Sequence, residues 1–289
     1  MSGQPKILIL GVGGQVGTEL RRSFAGAGDV FVLDRKVADL SQPETLRDPI
    51  RQLRPEIILN AAAYTAVDRA ESEPELAMTV NGEAPRVLAE EAARLNALLV
   101  HYSTDYVFDG TKQTPWVETD ATNPLNAYGR TKLAGEEAIQ KVGSRYLIFR
   151  TSWVYGPHGK NFLLTMLRLG RERDQLRVVD DQFGSPTSSI AIADATRAIV
   201  DKALAAETPS GIYHLTCDGE TTWCRFTQAI FAQQNTGKSP QIVAIPSSEY
   251  PTPAARPRNS VLSNEKLKST FGVELPEWQV ALSQVSKVL

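Results

Sequence analysis

Residues that ligate metals or form disulfides are scarce in this 289-residue chain. Its two cysteines, Cys217 and Cys224, are too few for a disulfide framework. Its three histidines form no His-x-x-x-His pair, and no Cys-x-x-Cys occurs, so the spacing argues against a catalytic zinc. Acidic residues such as Glu19 do not cluster at a metal-ligand spacing, and magnesium stays open as a second cofactor. An excess of either charge is missing too. A balance of 31 basic against 33 acidic residues, net −2, gives no reason to expect nucleic acid or an anionic membrane as partner. No apolar run approaches the ~20 residues of a membrane span, and no secretory leader is recognisable. A cytoplasmic protein is expected, with no repeat or low-complexity segment.

A hydrophobic share of 42% supports a real core. Lys6-Ile7-Leu8-Ile9-Leu10 is a short apolar run suited to a strand buried on both faces. Gly11-Val12-Gly13-Gly14-Gln15-Val16-Gly17 follows at once, and an amphipathic helical pattern comes next. Strand, glycine turn and helix form the setting of a dinucleotide fingerprint, here spaced Gly11-x-x-Gly14-x-x-Gly17. Glycines let backbone approach a pyrophosphate, and the helix start faces its charge. A second strand, Val30 to Leu33, ends in Asp34-Arg35. Asp34 lies 17 residues beyond Gly17, near the distance expected for a carboxylate on the adenosine ribose, and Arg35 suits a 2′-phosphate. The two argue for different cofactors, so NADH and NADPH stay open. Asp39 and Leu40 suit an adenine amine and ring face.

Ile57 to Asn60 forms a third strand running into Ala61-Ala62-Ala63, whose small side chains leave room at the sheet edge. Tyr64, Thr65 and Asp68 open the next segment. The strand from Leu98 carries Tyr102 and delivers Thr104 and Asp105 at its end, 24 and 23 residues before Tyr128. Tyr128 and Lys132 share one helix face at i and i+4. An ammonium beside a phenol would lower its pKa and make it a usable acid or base. Hydroxyl, phenol and ammonium together suit hydride addition to a ketone.

These residues, with Asn60-Ala-Ala-Ala-Tyr64-Thr65-Ala-Val-Asp68, Ser103-Thr104-Asp105-Tyr106-Val107-Phe108-Asp109-Gly110, Pro124-Leu125-Asn126-x-Tyr128-Gly129-x-Thr131-Lys132, Arg150-Thr151-Ser152-Trp153, Asp181-Gln182-x-Gly184-x-Pro186-Thr187 and Arg256-Pro257-x-Asn259-Ser260, resemble the extended short-chain dehydrogenase/reductases. Among them the chain is most similar to the dTDP-4-dehydrorhamnose reductase family, over nearly its whole length. It departs at Tyr64, where that family mostly carries histidine. The resemblance implies an α/β fold: a doubly wound parallel sheet with a small α/β substrate-binding cap. Residues 1–150 and 188–212 would bind the dinucleotide, and residues 151–187 and 213–289 the sugar nucleotide. It implies NAD(P)H-dependent reduction of the C4 ketone of dTDP-6-deoxy-L-lyxo-4-hexulose, by a monomer or homodimer. Thr104, Tyr128 and Lys132 would be catalytic. Gly11, Gly14, Gln15, Val16, Gly17, Asp34, Arg35, Asp39, Leu40, Ala63, Tyr64, Thr65, Tyr102, Tyr128 and Lys132 would line the cofactor. Thr104, Asp105, Trp153, Gln182, Arg256 and Asn259 would meet the sugar nucleotide, Trp153 by stacking on the pyranose and Arg256 by a fork to phosphate.

Three alternatives share parts of this pattern. A nucleotide-sugar 4,6-dehydratase needs a second carboxylate after Asp105, where this chain has Tyr106. An epimerase-reductase needs a cysteine and a histidine to move protons at the neighbouring carbons, and neither cysteine lies near the site in sequence. A cofactor-sensing regulatory subunit is disfavoured by the intact Thr104, Tyr128 and Lys132.

Overall fold

Alternating side chains along short apolar runs build the centre of the molecule. The computed structural model describes residues 4–143, 145–205, 209–234 and 239–289. Five strands come first: β1 (Lys6–Leu10), β2 (Asp29–Leu33), β3 (Ile57–Asn60), β4 (Leu98–Thr104) and β5 (Tyr146–Thr151). Then follow β6 (Val154–Tyr155), β7 (Gln175–Val179), β8 (Phe183–Gly184), β9 (Thr187–Ser188), β10 (Gly211–His214), β11 (Thr221–Thr222) and β12 (Gln241–Ile245). The main sheet runs β10-β5-β4-β3-β1-β2, every pair parallel. It is the doubly wound sheet expected from the strand–helix alternation. The order reverses between β1 and β3, and a crevice at the strands' carboxyl ends is the ligand position in such sheets.

Successive residues point to opposite faces. Ile7 and Ile9 enter one apolar cluster with Leu20, Leu59, Val100, Phe149 and Ile199. Leu8 and Leu10 enter another with Ile58, Val87, Leu88, Leu99, Ile139 and Ile148. Helices Gln15–Ser23 and Ser189–Ala205 cover the first face; Arg47–Leu53, Ala84–Leu95 and Ala127–Val142 cover the second. β2 is the edge strand, which explains why Phe31 and Val32 stay exposed.

Two features of this architecture bear on the site. The helical pattern from Pro74 to Arg94 is interrupted by a π-turn at Thr79–Glu83. There Asn81 turns its amide onto the backbone of Tyr64, accepting from its N at 2.9 Å and donating to its O at 3.0 Å. Beyond β5 the short strands pair as β6 with β9, β8 with β11 and β7 with β12. Helices Trp223–Ala232 and Trp278–Ser286 pack Phe226, Ile230 and Leu282 into the first cluster, so the cap is seated on the same core as the sheet.

Candidate active site

The glycine turn is shaped by backbone crowding. Gly11 has φ +80°, and a Cβ there would lie 2.5 Å from the Ala62 nitrogen. A Cβ on Gly17 would lie 2.1 Å from the Gly11 oxygen. Gly14 donates its N–H to Gly11 O at 2.9 Å, closing the turn. No side chain caps the helix that starts at Gln15, so its first amides are open to an anion. Gln15 faces the cap instead: its amide donates to Val154 O at 3.4 Å and accepts from Asn161 at 2.8 Å. Val16 packs on the first core cluster.

At the end of β2, Asp34 is exposed and its carboxylate accepts from the N–H groups of Lys36 and Val37 at 2.9 and 3.3 Å. Arg35 projects into solvent and meets Asp39 at 3.3 Å. Asp39 is held below the usual carboxylate range, chiefly by the N–H and hydroxyl of Ser41 and then by Arg35. Leu40 is buried in the second cluster, beneath the crevice. Ala63 is half-buried and Thr65 exposed, whereas the Tyr64 hydroxyl donates to Glu73 at 2.6 Å.

The second half of the site forms where β4 ends against helix Ala127–Val142. Asn126 caps that helix by accepting from Gly129 N at 2.8 Å, and donates to Ala255 O at 2.7 Å. Gly129 lets the helix approach closely, since a Cβ there would lie 2.2 Å from Tyr106 O. Thr104 and Asp105 are buried, and the Thr104 hydroxyl donates to Asp105 Oδ1 at 2.9 Å. Tyr128 is half-buried, its ring edge-on to Tyr106 at 6.0 Å. Among the described residues, Ser103 Oγ, Asp105 Oδ2 and Thr151 Oγ1 are buried without a hydrogen-bond partner, all at the carboxyl ends of β4 and β5. Other buried atoms without a partner lie elsewhere, Tyr155 Oη and Ser189 Oγ among them, and each such group calls for a partner from water or a ligand.

The electrostatics correct one expectation. Lys132 does not lower the Tyr128 phenol in this structure. Burial and the neighbouring Asp105 push that phenol up to about 12, with only a Thr104 hydrogen bond opposing them. Lys132 instead gives its Nζ to Tyr102 O at 2.6 Å and lies 3.0 Å from His101 Nε2. Burial lowers it to about 8, opposed by Glu136. Tyr102 therefore serves through its carbonyl, while its hydroxyl bonds Thr196 at 2.8 Å. Asp105 is pushed up to about 7 by burial, held back by the nearby Ser260 hydroxyl and by Thr104.

Trp153, Arg256 and Asn259 already have partners, within the cap or across it on residues 1–150. Trp153, at φ +47°, stacks on Trp223 with ring centroids 3.5 Å apart. A Cβ on Gly184 would lie 2.4 Å from the Trp153 indole. Arg256 forks onto Asp68 at 3.0 and 2.9 Å and donates to Ala254 O at 2.9 Å. Asn259 donates to Lys112 O at 2.8 Å and accepts from Val261 N at 3.1 Å, tying two loops. Gln182 is half-buried between β7 and β8.

Comparison with known proteins decides the family. A model of the RmlD substrate binding domain matches residues 5–289. A dTDP-4-dehydrorhamnose reductase of Burkholderia thailandensis is 52% identical over 288 residues, with 96% of each chain covered. The chain belongs to the dTDP-4-dehydrorhamnose reductase family. The crystal structure of a dTDP-4-dehydrorhamnose reductase from Clostridium acetobutylicum superposes with a TM-score of 0.92 at 37% identity, covering 98% of this chain and 99% of that one. One from Bacillus anthracis, in complex with NADP, gives 0.91 at 32% identity, covering 99% and 100%.

Several residues around the site were given no role by the sequence reading, although Asn60 and Arg150 lie in its motifs. His101 and Asn60 are polar residues inside buried strands, and Asn81 lies in a helical pattern. Glu136 and Arg150, almost fully buried, bond at 2.6 Å below the site. Polar residues on otherwise apolar strands were the only available hint. Among the described residues no group of three or more His, Cys, Asp or Glu could hold a metal, and no helix is long and apolar enough to cross a membrane.

Proposed function

We propose that this reductase uses NADPH or NADH to reduce the C4 ketone of dTDP-6-deoxy-L-lyxo-4-hexulose, giving dTDP-L-rhamnose. The observation that carries the reading is the placement of buried Thr104 and Asp105, whose Oδ2 lacks a partner, at the end of β4 against the helix that bears half-buried Tyr128 and buried Lys132, in a chain of this family. The glycine turn fits a dinucleotide, because its closest approaches exclude side chains at Gly11 and Gly17 and its helix start is uncapped. Gly11, Gly14, Gln15, Val16 and Gly17 would cradle the pyrophosphate. Asp34 would take the ribose diol, Arg35 a 2′-phosphate, and Asp39 and Leu40 the adenine. Ala63, Tyr64, Thr65 and Tyr102 would border the nicotinamide half. The cofactor, when bound, supplies the hydride.

The chain's own residues handle the proton. Tyr128 keeps its proton throughout the neutral range, because its phenol is pushed up to about 12. It is thereby set as the donor to the oxygen that gains charge at C4. Thr104 would turn its single hydroxyl proton from Asp105 Oδ1 to that oxygen as the charge develops. Lys132 holds the nicotinamide ribose. Asp105 takes a sugar hydroxyl, its orphaned Oδ2 offering the acceptor. Residues 151–187 and 213–289 would grip the nucleotide sugar, with Trp153, Gln182, Arg256 and Asn259 as the candidate contacts. The packing of Trp153 on Trp223, and of Arg256 on Asp68, favours walls braced in advance over side chains waiting free. A monomer or homodimer in the cytoplasm completes the proposal. Magnesium has no assigned place in it.

The test is Tyr128→Phe, followed by loss of NAD(P)H absorbance with the ketosugar. Removing a positioned general acid lowers turnover by about 10²–10⁴-fold. Cofactor affinity and Tm should hold. A variant within a few-fold of wild type refutes the proton donor. Flat absorbance from the wild-type protein that still binds cofactor would make it a regulatory subunit.

A further inference from the structure

The hydrogen bonds behind Lys132 specify where each proton sits. The Ala62 N–H can only donate, and it meets Asn60 Oδ1 at 3.2 Å. That orients the Asn60 amide, so Nδ2 is the atom facing His101 Nδ1 at 3.0 Å. An amide nitrogen donates, so Nδ1 must be bare. A neutral imidazole then carries its proton on Nε2, which lies 3.0 Å from Lys132 Nζ. An N–H pointing at that nitrogen needs a lone pair there. Asn60, His101 and Lys132 are each only 1% exposed, so solvent does not rearrange the set.

We propose that His101 is a positioning residue that, oriented by Asn60, parks Lys132 as a free amine in the ligand-free protein, and that Lys132 takes up one proton when the nicotinamide ribose draws it away. This rests on the cofactor reading of the site given above. The parked amine accepts from His101 Nε2–H and donates to Tyr102 O. On binding, the N···H–N contact to His101 breaks, a solvent proton adds to Nζ, and the resulting ammonium donates to the ribose hydroxyls. No electron pair leaves the protein, and His101 keeps its own proton throughout. The charged groups facing the pair are few. Lys132 feels Glu136 one turn along its helix, and Arg150 already grips that carboxylate at 2.6 Å. Burial is the main reason the His101 ring stays neutral, its pKa well below the ordinary value, and a charge on Lys132 would only add to that. The lowering of Lys132 to about 8 puts the parked amine within reach of mildly alkaline buffer.

Nitrogen-15 NMR of the ligand-free protein at pH 9 reads the ring directly. The inference expects His101 with Nε2 protonated and Nδ1 bare; the opposite tautomer overturns it. Calorimetry of NADPH binding at pH 9, in two buffers of different ionisation heat, should show uptake approaching one proton per site. Binding without uptake overturns the inference while leaving the cofactor reading intact. Failure of NADPH to bind overturns the cofactor reading, and the ring tautomer still decides the parking. Asn60→Asp should move the ring proton to Nδ1, turn Nε2 into an acceptor and hold Lys132 as an ammonium. Its uptake should fall by at least half and the alkaline limb of cofactor binding should shift upward. A purely structural role for His101 would leave both unchanged. Should that variant fail to fold, the wild-type tautomer and proton count remain decisive.

Discussion

The two ends of the crevice are built on opposite principles. At the glycine turn the constraints are steric and largely local: Gly14 and Gly17 pack on the Gly11 backbone within seven residues of chain, and Gly11 in turn packs on the backbone of Ala61 and Ala62. At the end of β4 the constraints are polar and distant. Lys132 reaches a carbonyl 30 residues away, Asn126 one 129 away, and Arg256 a carboxylate 188 away. The first region is shaped by its own backbone and leaves the start of its helix uncapped. The second carries buried atoms without partners, which is costly until a ligand supplies them. On the proposed function, shape recognition would be pre-formed, while the chemistry would sit in the part of the molecule that gains most from being filled.

Deepening the imbalance in the polar half should have the largest effect on stability. Glu136→Ala would strand the Arg150 guanidinium, whose Nη1 already lacks a partner, in the interior. Breaking such a pair costs about 3–5 kcal/mol, readable in a urea titration. A loss below about 1 kcal/mol would show that this half is not held by its buried charges.

Next comes the steric half. Gly17→Ala would force a Cβ to within 2.1 Å of the Gly11 oxygen, so the turn must shift. A strained backbone of this kind costs about 1–3 kcal/mol. NADPH affinity should fall by the corresponding ~5–150-fold. Gly13→Ala is the control, because nothing lies within 4 Å of its added methyl. Equal losses from both would remove steric shape as the principle of this end.

Relieving the polar half should stabilise the fold and harm the reaction. Asp105 rises from 3.8 to about 7 because burial disfavours its charge. A folded state that binds the proton more tightly than the unfolded chain loses stability as pH climbs between those values. Asp105→Asn removes that loss. Its Tm should exceed wild type above pH about 7, by roughly 2–4 °C per kcal/mol, and the gain should vanish below pH about 4. Ketosugar turnover should drop in the same variant. A pH-independent Tm difference would sink the buried-carboxyl argument.

The smallest effect lies at the exposed rim of the glycine half. Arg35→Ala should raise the KM for NADPH more than that for NADH, with stability unchanged. The charge-assisted bond to a 2′-phosphate is worth up to about 1.5–3 kcal/mol, less here because Arg35 is mostly solvated. Parallel shifts for both cofactors would take the 2′-phosphate away from Arg35.

Much of the molecule was legible in the chain because its determinants are local. Short continuous apolar runs, glycines at fixed offsets and an i,i+4 pair on one helix suffice to place β1 to β4, the fingerprint and Tyr128 with Lys132. What Lys132 does at rest was not legible. A ladder pairing β3 with β4 puts Asn60 opposite His101, and neither residue reveals in sequence that the other, rather than Tyr128, will govern the ammonium. The occupation of Trp153 by Trp223, and of Arg256 by Asp68, escaped for the same reason. Side-chain type and spacing determine which groups the crevice contains. Tertiary packing alone decides which of them are desolvated, which are paired and which are left open, because the cost of burying charge depends on neighbours brought together from across the whole chain.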